Sequence, residues 1–81
     1  MRNRLYFTTA LKELKNKNHY LVHWNPFNGE IRNEDSDSIG GISSRVMDNL
    51  LNSGKLEYMG KGTGLLSHET YYKLKNESKT K

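Results

Sequence analysis

Three histidines, His19, His23 and His68, carry the side chains whose charge changes most readily near neutral pH. His19 and His23 stand four apart, the spacing that aligns two metal ligands on one helix face. They lie, however, in His19-Tyr20-Leu21-Val22-His23-Trp24, a run rich in β-formers that alternates Tyr20, Val22 and Trp24 against Leu21 and His23. On a strand, residues four apart share a face but sit roughly 13 Å apart, too far to share one ion. The chain has no cysteine, which excludes thiolate-ligated zinc and a disulfide framework. No metal and no cofactor are expected, and the histidines read as half-exposed strand residues. No strained turn marks one serine as a nucleophile. The acids between 30 and 37 lie in a loop without the framing of a paired-carboxylate hydrolase. The chain is not expected to be an enzyme.

Binding chemistry is better represented. Arg45, Asn49 and Asn52 are spaced to project from one side of a helix, and arginine and asparagine suit guanine and adenine edges. Lys55 and Lys61 can hold phosphates. Asp48 shares that face and opposes a polyanion. Gly60-Lys61-Gly62-Thr63-Gly64 is glycine-rich but lacks the spacing and Lys-Ser/Thr ending of a P-loop, so it reads as a mobile hairpin tip bearing one lysine. A second surface is conceivable around Trp24 and Phe27, which flank a proline turn. Either they pack in a core short of aliphatic residues, or they form an exposed anchor for a protein partner beside Glu30, Glu34, Asp35 and Asp37.

The 81 residues carry 13 Lys+Arg against 9 Asp+Glu, a formal net charge of +4. The surplus is uneven: residues 1–24 hold +4, residues 25–40 hold −3, residues 41–54 balance, and residues 55–81 hold +3. Two basic ends flanking an acidic middle suit a polyanionic partner. Hydrophobic residues make up 33% of the chain and the mean hydropathy is −0.91, so a large enclosed active-site pocket is not expected. No apolar run approaches the ~18 residues of a membrane span. The reading is a soluble cytoplasmic protein, one domain over residues 1–75, with a disordered basic tail at 76–81.

The elements that position these groups follow from periodicity. Phe7, Ala10, Leu11 and Leu14 occupy one helix face. That helix begins within residues 3–9, capped by Asn3, Thr8 or Thr9, and ends near Lys17-Asn18. Residues 19–24 form a strand, Asn25–Gly29 a turn, and Glu30–Arg32 an optional short strand. Residues 33–38 are a solvent loop. Val46, Met47, Leu50 and Leu51 define a second helix, capped by Ser43 or Ser44 and stopped by Gly54. Residues 55–59 form a strand. Leu65–Leu74 reads either as a strand, making 55–74 a long hairpin, or as a strand followed by a short helix that Ser67 caps. The first reading is adopted.

Gly41-Ile42-Ser43, Arg45-Val46, Leu50-Leu51-Asn52-Ser53-Gly54-Lys55-Leu56, the glycine-rich stretch 60–64 and Leu65-Leu66-Ser67-His68-Glu69 together resemble the second half of a winged helix-turn-helix domain of the excisionase-like or MerR-like kind. The likeness covers about 35 residues, 41–75. That family places an apolar-faced helix just before Gly-Ile-Ser, where this chain has the acidic stretch Glu30–Gly40. The resemblance implies a base-contacting helix at 43–53 and a wing at 60–64, with Ser43, Ser44, Arg45, Asn49, Asn52, Lys55, Lys61 and Thr63 facing DNA.

The expected fold is an α+β, winged-helix-like domain of order α–β–(β)–α–β–β, two helices against a three- to four-stranded antiparallel sheet. The expected function is a small accessory or regulatory protein binding double-stranded DNA, of the kind found in phages and mobile elements, with a homodimer as one possible state. The alternative is a small inhibitor or adaptor that docks on a host protein through Trp24–Phe27 and the acidic loop 30–37.

Overall fold

The computed structural model describes residues 3–24 and 27–75. The expected tail at 76–81 and the Asn25-Pro26 part of the turn lie outside the described residues. In chain order the elements are β1 (Asn3–Leu5), α1 (Phe7–Leu14), β2 (Tyr20–Trp24), β3 (Gly29–Arg32), β4 (Ser38–Ile42), α2 (Ser44–Asn52), β5 (Leu56–Lys61), a 3-10 turn (Gly64–Leu66) and β6 (Glu69–Leu74). Six strands form one mixed sheet in the order β1-β4-β3-β2-β6-β5, with β1 parallel to β4 and the other neighbours antiparallel. This corrects the expected winged-helix-like fold with a three- to four-stranded antiparallel sheet. The two extra strands carry weak strand signals of their own: β1 spans only three residues, and β4 is Ser-Ile-Gly-Gly-Ile, which by composition reads as a loop.

Both helices cover one face of the sheet. Leu5, Leu21, Ile31 and Ile42 from four adjacent strands meet Ala10 and Leu14 of α1 and Val46, Met47 and Leu50 of α2 in one cluster. Because strand side chains alternate, the register of β2, β3 and β6 sends Tyr20, Val22, Trp24, Glu30, Arg32, Glu69 and Tyr71 to the opposite, helix-free face. Gly29 makes this packing possible. A Cβ there would stand 1.9 Å from the Val22 carbonyl oxygen and 2.5 Å from Met47 Cε, so only glycine lets α2 press Met47 onto β3.

Helix α2 obeys its sequence signals, whereas α1 stops at Leu14, short of the expected end near Lys17-Asn18. Ser43 caps α2, its Oγ accepting from the Val46 N–H at 3.3 Å, and Gly54 follows the last turn at φ 76°, where glycine carries no Cβ penalty. The start of α1 is a correction. Its cap residue is Tyr6, closed by Thr9, whose Oγ1 accepts from the Tyr6 N–H at 2.8 Å and donates to the Tyr6 carbonyl at 3.1 Å. Strands β5 and β6 pair as an antiparallel hairpin with a bulge between Tyr58 and Gly60, but its bounds differ from those expected: Gly60 and Lys61 of the expected 60–64 wing are the end of β5, and residues 65–68, expected as strand, belong to the connection that holds the 3-10 turn. Among the described residues no helix is long and apolar enough to cross a membrane.

Candidate functional site

Ser44, Arg45, Asn49 and Asn52 are all exposed on α2, and Asp48 is exposed beside them. Ser43 is half-buried and occupied as the cap. Lys55 precedes β5 and Lys61 ends it, so the two lysines stand roughly 20 Å apart at the usual strand rise. Thr63 is exposed just before the 3-10 turn. The structure therefore gathers the four helix residues on one element but sends the two lysines to opposite ends of a strand.

The residues of the alternative surface are divided. Glu34, Asp35 and Asp37 are exposed on the β3–β4 turn, which Asn33 organises by accepting from the Asp35 and Asp37 N–H groups at 2.9 and 3.0 Å. Phe27 is 65% exposed. Trp24 and Glu30 instead belong to a polar cluster on the helix-free face. There the Arg32 guanidinium lies between two buried carboxylates, donating to Glu30 from Nε and to Glu69 from both Nη atoms, at 3.3 and 2.8 Å. Trp24 Nε1 and the Tyr71 hydroxyl also donate to Glu69, at 2.9 and 2.8 Å. Burial pushes the Glu69 carboxyl up, but the hydrogen bonds from Arg32, Trp24 and Tyr71 outweigh it and hold it at about 2. Burial opposes the charge on Arg32, and the two carboxylates more than restore it. The hydrogen bond to Glu69, aided by burial, moves the Tyr71 hydroxyl up. The cluster is a satisfied structural clamp joining β2, β3 and β6.

The histidines part company. His19 Nδ1 donates to the Glu13 carbonyl at 2.9 Å, tying the end of α1 to β2. His68 is exposed ahead of β6. His23 is buried on the helix side, where its Nε2 meets no hydrogen-bond partner among the described residues. This corrects the expectation of a half-exposed strand histidine at position 23: alternation along β2 puts His23 on the same face as buried Leu21.

A strongly charged surface lies where α1 passes the ends of β5 and β6. A groove of about 570 Å³ runs between Lys12 and Lys15 on the α1 side and Lys55 and Lys75 on the sheet side, with Leu11 and Leu74 between them and Thr8 at its rim. A second groove shares Lys15, Leu74 and Lys75 and adds Lys17, Lys73, Met59 and Glu57. Together the two are lined by six lysines and one carboxylate. Set against the chain's +4, that +5 leaves the rest of the molecule at −1. The Lys73 ammonium is steered by the Lys17 carbonyl, to which it donates.

Of these lysines the sequence reasoning selected only Lys55. The signal for the rest was the uneven charge: the basic N-terminal and C-terminal segments come together here. Periodicity could not show it, because their meeting depends on β6 pairing with β2 and on α1 lying across the sheet.

In comparisons with protein-family models, curated proteins and solved structures, nothing matches this chain.

Proposed function

We propose that this chain is a small non-enzymatic accessory protein that binds double-stranded DNA by its phosphates, using the lysine-lined end of the sheet. The observation that supports this most is the convergence of Lys12, Lys15, Lys17, Lys55, Lys73 and Lys75 from three separate stretches of chain, with Glu57 as the only carboxylate among them. Charge–dipole attraction at the end of α1 accounts for Lys12 and Lys15. It does not account for Lys55 just before β5, Lys73 within β6 and Lys75 just after it. Like charges held together cost folding energy, and a polyanion that displaces its own counterions recovers it. Binding to a labelled DNA duplex, followed by fluorescence anisotropy, should be clear at low salt and fall steeply as salt rises. The double variant Lys12→Glu/Lys55→Glu should lose it. A wild-type protein that leaves duplex anisotropy unchanged at low salt would dispose of the reading.

Docking on a host protein is the second reading. It is favoured by Phe27, 65% exposed, together with the exposed carboxylates of the β3–β4 turn. Capture of a host protein that survives nuclease treatment, and is lost with Phe27→Ala, would support it over DNA.

A further inference from the structure

We infer that the lysine grooves contact only the sugar–phosphate backbone, so that the protein binds duplex DNA without regard to base sequence; this rests on the DNA reading above. The side chains that read base edges are arginine and lysine for guanine, asparagine and glutamine for adenine, the carboxylates for cytosine, and serine or threonine less selectively. The planar two-pronged readers, arginine, asparagine and glutamine, line neither groove among the described residues, and Glu57 and Thr8 are the other polar side chains there besides lysine. What lines them is lysine, a flexible point charge that suits phosphate and discriminates poorly between bases. Leu11 and Leu74 between the lysines offer an apolar surface to sugars and no hydrogen bond to a base.

The arginine and asparagines suited to two-pronged base contacts are elsewhere. Arg45, Asn49 and Asn52 lie on the exposed side of α2, line neither groove, and share their face with the repelling carboxylate of Asp48.

The same geometry selects the duplex over the single strand. Proteins that hold single strands stack successive bases on aromatic rings. Among the described residues the uncharged neighbours lining the lysine grooves are Thr8, Leu11, Leu14, Leu74 and Met59, with no aromatic ring among them. Tyr20, Trp24 and Tyr71 lie on the helix-free face, where Trp24 and Tyr71 are held by Glu69 and Tyr20 packs edge-on against Tyr71.

The test is anisotropy with fluorescein-labelled duplexes of unrelated sequence, and with one of their single strands, across a salt series. The duplexes should bind within about twofold of one another, with a common log–log salt slope of about −3 to −5, as expected for four or five phosphate contacts. Lys12→Ala and Lys55→Ala should each make that slope about one unit shallower on every duplex, and Arg45→Ala should change nothing. The single strand should bind more weakly than its duplex. A tenfold or greater preference for one duplex, a larger loss from Arg45→Ala than from Lys55→Ala, or tighter binding of the single strand would each overturn the inference while leaving nucleic-acid binding in place. No binding to any probe at low salt would instead remove the DNA reading beneath it.

Discussion

Arg32 is the one cation between two carboxylates, Glu30 and Glu69, on the helix-free face, and all three side chains are largely withdrawn from water. Removing one member of such a buried group costs more than the group contributes when whole, because the remaining charges lose their compensation. Arg32→Met should therefore destabilise the fold by about 3–5 kcal/mol, read as a drop in the chemical-denaturation midpoint. Glu69 also makes stability depend on pH. Its carboxyl is held at about 2 in the fold, against an ordinary value of 4.5. The stabilisation is thus complete above 4.5 and is lost as pH falls from 4.5 toward 2, a contribution on the order of 3 kcal/mol. Melting temperature should fall across that window in the wild type and fall less in Glu69→Gln. An identical acid profile in the two proteins would show that Glu69 is not the linked group. Neither carboxylate was recognisable as part of a clamp from the sequence. Glu30 read as one charge in an acidic loop and Glu69 as one in a hairpin, because their juxtaposition is created by β2 pairing with β3 on one side and β6 on the other.

At the scale of elements, signals carried within a few residues were legible and those supplied by partner strands were not. The apolar spacing of Val46, Met47 and Leu50, the Ser43 cap and the Gly54 stop defined α2 because each acts within a few residues. Leu50 is fully buried against the sheet, so Leu50→Ala should cost about 2–5 kcal/mol, a large share of the stability of so small a domain. A thermal melt unmoved by that change would contradict the packing of α2 described here. β1 and β4 escaped for the opposite reason. Their strand conformation comes from partners, Asn3–Leu5 pairing with Gly40–Ile42, and not from their own residues. The same two strands separate the observed fold from a winged helix. They place a parallel pair at the edge of the sheet and leave α2 packed by its apolar face on the sheet. The candidate site was legible only as two basic ends of the chain set against its acidic middle; the grooves themselves depend on tertiary pairing.

Across the whole molecule, charge and apolar exposure are segregated. One end carries the six lysines, the β3–β4 turn carries Glu34, Asp35 and Asp37, and the β5–β6 hairpin shows Tyr58, Met59 and a 96% exposed Leu65. An acidic turn on the same small body repels a polyanion and so favours approaches that present the lysine end first. The central claim is that DNA meets this end and not the exposed side of α2. Amide chemical-shift mapping by NMR, titrating a DNA duplex into the isotope-labelled protein at low salt, tests it residue by residue. The account predicts that the shifted amides cluster at Lys12, Lys15, Lys55, Lys73 and Lys75, with Arg45, Asn49 and the 34–37 turn unmoved. Shifts centred on Arg45 and Asn49, or a spectrum that duplex leaves unchanged, would contradict it.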